Sequence, residues 1–181
     1  MLYIQHRINT TEQLRKTPTE YGVELDLRDR GDRLILVHDP FSDGEDFDRY
    51  VKEYQHGLMI LNIKSERIEY RVLDVIRDSA VKDYFFLDCS FPMIRALISR
   101  GERRIAVRYS EFEPIENALS LAGEIDWVWV DCFTKMPLTD ESYERLKEHF
   151  KICIVSPELQ GRPVDTIADF SRTLFPFMPD P

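Results

Sequence analysis

Short runs of β-branched and aromatic residues recur roughly every twenty residues along this chain, and stretches with recognisable helix caps fill most of the intervals. Ionisable side chains gather where the runs end. Together these observations predict an α/β fold on a mostly parallel sheet, because strands alternating with helices form right-handed βαβ units.

The opening run Tyr3-Ile4-Gln5 is a first strand, and Thr10 with Gln13 three residues on makes a capping box for a short helix that Pro18 ends or bends. Residues 22–28 form a strand, and Asp29-Arg30-Gly31-Asp32 supplies turn chemistry into a run over 33–38, so the two pair as a hairpin. Phe41-Ser42-Asp43-Gly44 breaks the pattern ahead of a polar helix over 45–55. A buried strand over 57–63 leads to a helix over 66–79, whose Ile68, Val72, Val75 and Ile76 share a face. A strand over 84–89 is followed by a helix that opens at Ser90 and closes at Gly101. Next come a strand over 104–109, a helix over 114–121 with Pro114 near its first turn, and a strand over 126–130. Thr139 caps a helix over 139–150 whose Asp140 and Glu141 sit at the positive end of the dipole. A strand over 151–155 and a weak helix over 165–174 complete the order. The end, 175–181, carries Pro176, Pro179 and Pro181 and cannot be a central strand.

Of the 181 residues 43% are hydrophobic and 31% charged, which suits one domain with a substantial core. The net charge of -9 argues against a nucleic-acid partner, since that binding rests on clustered Lys and Arg. Gln5, His6 and Arg7 interrupt the apolar start, so no signal peptide is read there, and no run is long enough to span a bilayer. A cytoplasmic location is the expectation. Cys89, Cys132 and Cys153 lack Cys-x-x-Cys spacing and read as small buried thiols in a reducing compartment, not as a zinc site.

Three polar clusters each follow an apolar run: His6-Arg7, Glu24-Leu25-Asp26 and His38-Asp39. Residues two apart on a strand share a face, so Glu24 and Asp26 point the same way and can grip one cation or one basic group. The two histidines supply groups that exchange a proton near neutral pH.

In order and spacing, His6-Arg7, Glu24-x-Asp26 and His38-Asp39-Pro40 resemble the signature of the glycerophosphodiester phosphodiesterases, within the superfamily of phosphatidylinositol-phospholipase-C-like phosphodiesterases. The resemblance covers signature residues over 3–64 and strand rhythm beyond. It implies a triosephosphate-isomerase-type (β/α) barrel. With the hairpin strand set aside the chain has about seven barrel strands, where such a barrel needs eight and ~250 residues. The expectation is therefore an abbreviated barrel with an open seam, covered by the tail or paired with a second copy in a homodimer. An open Rossmann-like sheet is the alternative, but no Gly-rich phosphate turn follows the first strand.

Leu61-Asn62-Ile63-Lys64 resembles the family's third-strand motif, with Asn62 where the family has an acidic metal ligand. The resemblance implies a divalent cation, Mg²⁺ or Ca²⁺, on Glu24, Asp26 and Asn62, helped by Asp88 or Asp131. It implies a small-molecule phosphodiester as substrate, its phosphate met by Arg7, Lys64 and the cation. His6 and His38 act as the acid/base pair, with Asp39 orienting a neighbour. In a barrel the chemistry sits at the C-terminal ends of strands. Those positions also hold Ser90, Arg108 with Tyr109, and Ser156 with Glu158, and Arg108 is a further candidate for phosphate. Asp88, Arg108 and Asp131 read equally as a charged network holding the strand ends, and Asn62 equally as polar filler. A silent phosphoryl-ligand or partner-binding module is the second functional reading, and a sugar lyase or isomerase the third.

Overall fold

The computed structural model describes residues 1–174 and 177. Apart from Phe177, the proline-rich end that the sequence excludes from a central strand lies outside the described residues. The chain divides into two compact units, Leu2–Leu97 and, with Met1, the residues from Ile98 onward. In chain order the first holds β1 (Ile4–Gln5), α1 (Thr11–Lys16), β2 (Gly22–Arg30), β3 (Arg33–Leu36), β4 (Glu45–Asp46), α2 (Phe47–Tyr50), β5 (Met59–Ile63), α3 (Glu69–Arg77), β6 (Tyr84–Leu87) and α4 (Phe91–Ile98). The second holds β7 (Ala106–Tyr109), α5 (Ile115–Leu119), β8 (Trp127–Val130), α6 (Asp140–Lys147), β9 (Lys151–Ile154) and α7 (Thr166–Leu174).

β2 is the axis of the first unit. Val23, Leu25 and Leu27 are fully buried on one face, and Glu24 and Asp26 are as deeply enclosed on the other. One edge of β2 pairs in parallel with β5, which pairs in parallel with β6. The other edge is divided. Its first residues take β1 in parallel, with Ile4 opposite Gly22 and Gln5 opposite Val23. Its last take β3 antiparallel, with Leu36 opposite Leu27. The chain leaving β1 and the chain leaving β3 therefore run toward each other along one edge. They meet beside the carboxylates, where Ile8 N–H donates to Glu24 O (2.9 Å) and Val37 N–H donates to Asp26 O (3.0 Å). This division is what brings His6 and His38 into one place.

The capping box at Thr10 and Gln13 forms as the sequence predicts. The polar helix expected over 45–55 is different: Glu45 and Asp46 pair with Leu36 and Ile35 as β4, and helix starts only at Phe47. Burial decides the boundary, because Phe47, Tyr50 and Val51 all turn into the core. In the second unit β7, β8 and β9 lie in parallel order, with Val130 opposite both Tyr109 and Ile154.

Among the described residues β1, β2, β5 and β6 pair in parallel in one sheet and β7, β8 and β9 in another, so the parallel α/β order is present. Among the described residues the ladders form two sheets and do not close into a barrel. The physical reason lies in the edges. β1 offers only two residues of ladder, and the rest of that edge of β2 is already occupied by the antiparallel β3.

Candidate active site

The β2–β5 register sets Asn62 directly opposite Asp26, on the face that also carries Glu24. Glu24, Asp26 and Asn62 are all buried, at 1%, 0% and 6% exposure. Asn62 Nδ2 donates to Glu24 Oε1 (2.7 Å), and the backbone N–H of Arg7 donates to Glu24 Oε2 (2.8 Å). Asn9 holds Asp26 at two points: its Nδ2 donates to Oδ2 (2.9 Å), and its Oδ1 accepts the Asp26 N–H (2.8 Å). Two buried oxygens are left with no hydrogen-bond partner, Asp26 Oδ1 and Asn62 Oδ1. Both are acceptors, and a buried acceptor without a donor costs about 1–3 kcal/mol. Burial, and then the Asp26 carboxylate beside it, raise the Glu24 carboxyl to about 7.

Around this floor stands a rim of ionisable groups. His6 Nε2 lies 3.5 Å from Glu24 Oε2, and burial followed by the Arg7 charge lowers the affinity of the ring for a proton. Arg7 occupies the left-handed region (φ 55°), an arrangement that costs a non-glycine residue energy. From there its Nη2 reaches His38 Nε2 (2.8 Å). His38 Nδ1 is 2.8 Å from Asp39 Oδ1, which holds the Asp39 carboxyl below its ordinary range. An arginine can only donate, so Nε2 accepts and the ring proton sits on Nδ1, donated to Asp39. Asp39 thus orients His38. Lys64 Nζ is 3.1 Å from Asp88 Oδ2 and 3.8 Å from Asp26 Oδ1.

Arg28 is the next ionisable residue along β2 after the carboxylates Glu24 and Asp26. It shares their face of β2 but binds carbonyls instead, donating to Lys64 O (2.7 Å) and to His38 O (2.8 and 3.1 Å). It ties the two loops that carry site residues. Neither this role nor that of Asn9 was foreseen; the signals were the continued alternation Glu24, Asp26, Arg28, and an Asn two residues beyond Arg7.

Glu24, Asp26 and Asn62 present only oxygen donors, and the two oxygens without a hydrogen-bond donor, one of them 3.8 Å from Lys64 Nζ, are the kind a hard cation takes. That donor set fits Mg²⁺ or Ca²⁺. It depends on the amide, because among the described residues no three His, Cys, Asp or Glu side chains are grouped to hold a metal.

Arg108, Asp131 and Glu158 lie in the second unit, where Arg108 and Asp131 are linked and Glu158 bonds separately. Arg108 Nη1 pairs with Asp131 Oδ2, while Asp131 Oδ1 accepts from Trp129 Nε1 (3.1 Å) and Gln160 Nε2 (2.8 Å). Ser156 Oγ donates to Glu158 in the turn that also carries Gln160. The three cysteines are free thiols. Among the described residues no helix is long and apolar enough to cross a membrane.

In comparisons with known proteins, no family model matches the chain, no curated protein matches it and no solved structure matches it, so the site stands on its own geometry.

Proposed function

We propose that the chain is a metal-dependent phosphodiester hydrolase that resembles the glycerophosphodiester phosphodiesterases and acts on a glycerophosphodiester or a related phosphorylated small molecule. The abbreviated, open-seamed barrel belongs to the same proposal, supported by the parallel pairing of β1, β2, β5 and β6 and of β7, β8 and β9. One observation carries the functional reading: Asp26 Oδ1 and Asn62 Oδ1 are buried acceptors without a hydrogen-bond donor, on the strand face whose Glu24 lies 3.5 Å from His6 Nε2 and accepts from the Arg7 N–H.

Glu24, Asp26 and Asn62 hold the cation. When bound there, Mg²⁺ or Ca²⁺ supplies charge that stabilises the non-bridging phosphoryl oxygens. Arg7 offers a planar donor pair to the phosphate, and Lys64, steadied by Asp88, offers a point charge. His38, oriented through Nδ1 by Asp39, presents the Nε2 lone pair that takes a proton from the attacking hydroxyl or water. His6 holds a proton weakly and gives it to the leaving oxygen. Arg28 and Asn9 keep these groups in place through backbone and carboxylate contacts.

A second reading, a silent phosphoryl-ligand module, is favoured by one contact: Asn62 Nδ2 donates to Glu24 Oε1 and so occupies an oxygen that an acidic residue would leave free. Calorimetric titration of metal-stripped protein with Mg²⁺ and Ca²⁺, repeated on Glu24→Ala and followed by assay on a glycerophosphodiester, separates the two. Saturable binding lost in Glu24→Ala, with turnover lost in His6→Ala and in His38→Ala, supports the hydrolase. Diester binding without cation and without turnover moves the conclusion to the silent module.

A further inference from the structure

The contact between Arg7 and His38 has a consequence for the order of events, resting on the phosphodiester reading above. His38 has a single lone pair able to act as a base, on Nε2, because Nδ1 carries the proton donated to Asp39. That lone pair is taken, since the Arg7 guanidinium donates to it at 2.8 Å. The base is oriented and capped at the same time.

The cap is built to come off. Arg7 is fixed at its backbone, where its N–H donates to Glu24 Oε2 and its φ is 55°, so only the side chain is free to swing. Lys64 is paired with Asp88, whereas among the described residues the Arg7 guanidinium has no carboxylate within ion-pair distance. Its side-chain partner is a neutral ring that is 39% exposed. A hydrogen bond to a neutral, solvent-accessible acceptor is weak beside the paired, charge-assisted bonds a guanidinium makes with a phosphate anion.

We infer that Arg7 is an anion-released cap on His38: a phosphodiester anion draws the Arg7 guanidinium onto itself and thereby uncovers Nε2 only when substrate is present. Arg7 then serves both as phosphate ligand and as the element that makes the base available. Part of the anion's binding energy is spent in breaking the Arg7–His38 bond. Removing His38 therefore tightens anion binding, the reverse of what a histidine that simply contacts phosphate would give.

The test is a nitrogen-15 NMR titration of the full chain with dimethyl phosphate, with and without Mg²⁺. Wild type is compared with Arg7→Ala, His38→Ala and His38→Phe, the last keeping a ring while removing the acceptor. The expected result is about five-fold tighter binding in both His38 variants, none in Arg7→Ala, and a wild-type Nε2 resonance that moves to the position of a free acceptor as the anion binds. His38 variants that bind dimethyl phosphate no more tightly than wild type overturn the cap and leave the phosphodiester reading standing. Absence of Arg7-dependent binding in every protein overturns both.

Discussion

At the scale of single residues, the floor of the site is held in a costly state, which the proposed cation would relieve. The Glu24 carboxyl, ordinarily near 4.5, is raised to about 7 by burial and by Asp26, so the metal-free fold keeps a proton that the unfolded chain has released. Between those pH values stability falls as pH rises, and above about 7 the cost is complete at about 3 kcal/mol. Glu24→Gln removes the charge and keeps one oxygen to accept from Asn62 Nδ2, losing the bond from the Arg7 N–H, about 1 kcal/mol against the larger cost relieved, so in chelator at pH 8 this variant unfolds at higher urea than wild type; an equal or lower midpoint would sink the argument. Asn62→Asp does the reverse. It deletes the donor to Glu24 Oε1 and sets a third carboxylate beside two others, costing about 3 kcal/mol without cation. Added Mg²⁺ should return most of that stability and bind at least ten-fold tighter than to wild type, by calorimetric titration. Type and spacing along the strand singled out Glu24 and Asp26, and the family resemblance singled out Asn62. Neither revealed that Asn62 donates to Glu24, because an amide can turn either of its two ends to a neighbour.

At the scale of elements, the division of one β2 edge between β1 and β3 makes the site. Sequence patterns indicated the strand over 22–28 and the hairpin after it, since alternation and turn chemistry are local properties. Which strand takes which stretch of an edge is not local. The two-residue β1 and β4 carry too little periodicity to specify a register. Gly22 is what permits the close approach: a Cβ there would run into the Ile4 side chain and come within 2.6 Å of Leu58 O. Gly22→Ala must therefore push away β1 on one side or the backbone leading into β5 on the other. The expected loss is about 1–3 kcal/mol, the range for overpacking, read from urea unfolding. Moving β1 also moves His6 and Arg7, so anion binding at Arg7 should weaken in the same variant under conditions where it remains folded. Unchanged stability and anion binding would mean that β1 tolerates displacement and does not set the site.

At the scale of the whole molecule, the parallel α/β order was legible from the recurrence of apolar runs and caps. Closure was not, because it depends on edges that no single run encodes. The carboxyls show how such non-local contacts govern behaviour. Of 33 acidic residues, Glu24 and Glu111 depart in opposite directions. Partial burial opposes ionisation of Glu111, but the N–H groups of Thr134, Glu111 itself and Lys135, with the Thr134 hydroxyl, outweigh it and bring it to about 2. Its contribution is fully present above about 4.5 and is lost as pH falls through about 2. Asp39 and Asp43, lowered by His38 and by the Gly44 N–H, add to that acid limb. Glu24 and Glu69, both raised first by burial, give the opposite limb, in which stability declines as pH climbs above 4.5, for Glu24 as far as about 7. His6, lowered by burial, partly offsets this, because its neutral form is favoured in the fold as pH rises through 6.5. The metal-free protein should therefore have its highest Tm near pH 5, at the acid edge of the usual range of about pH 5 to 8. Thermal scans in chelator from pH 2.5 to 8 check this. Glu111→Gln should lower Tm by a few degrees at pH 5 and converge with wild type toward pH 2.5, whereas Glu24→Gln should flatten the decline between pH 5 and 8. Mg²⁺ should move the wild-type maximum upward by favouring the ionised Glu24. A metal-free Tm that climbs steadily from pH 5 to 8 would show that the buried carboxylates are paid for by contacts other than a cation, and would remove the energetic case for one.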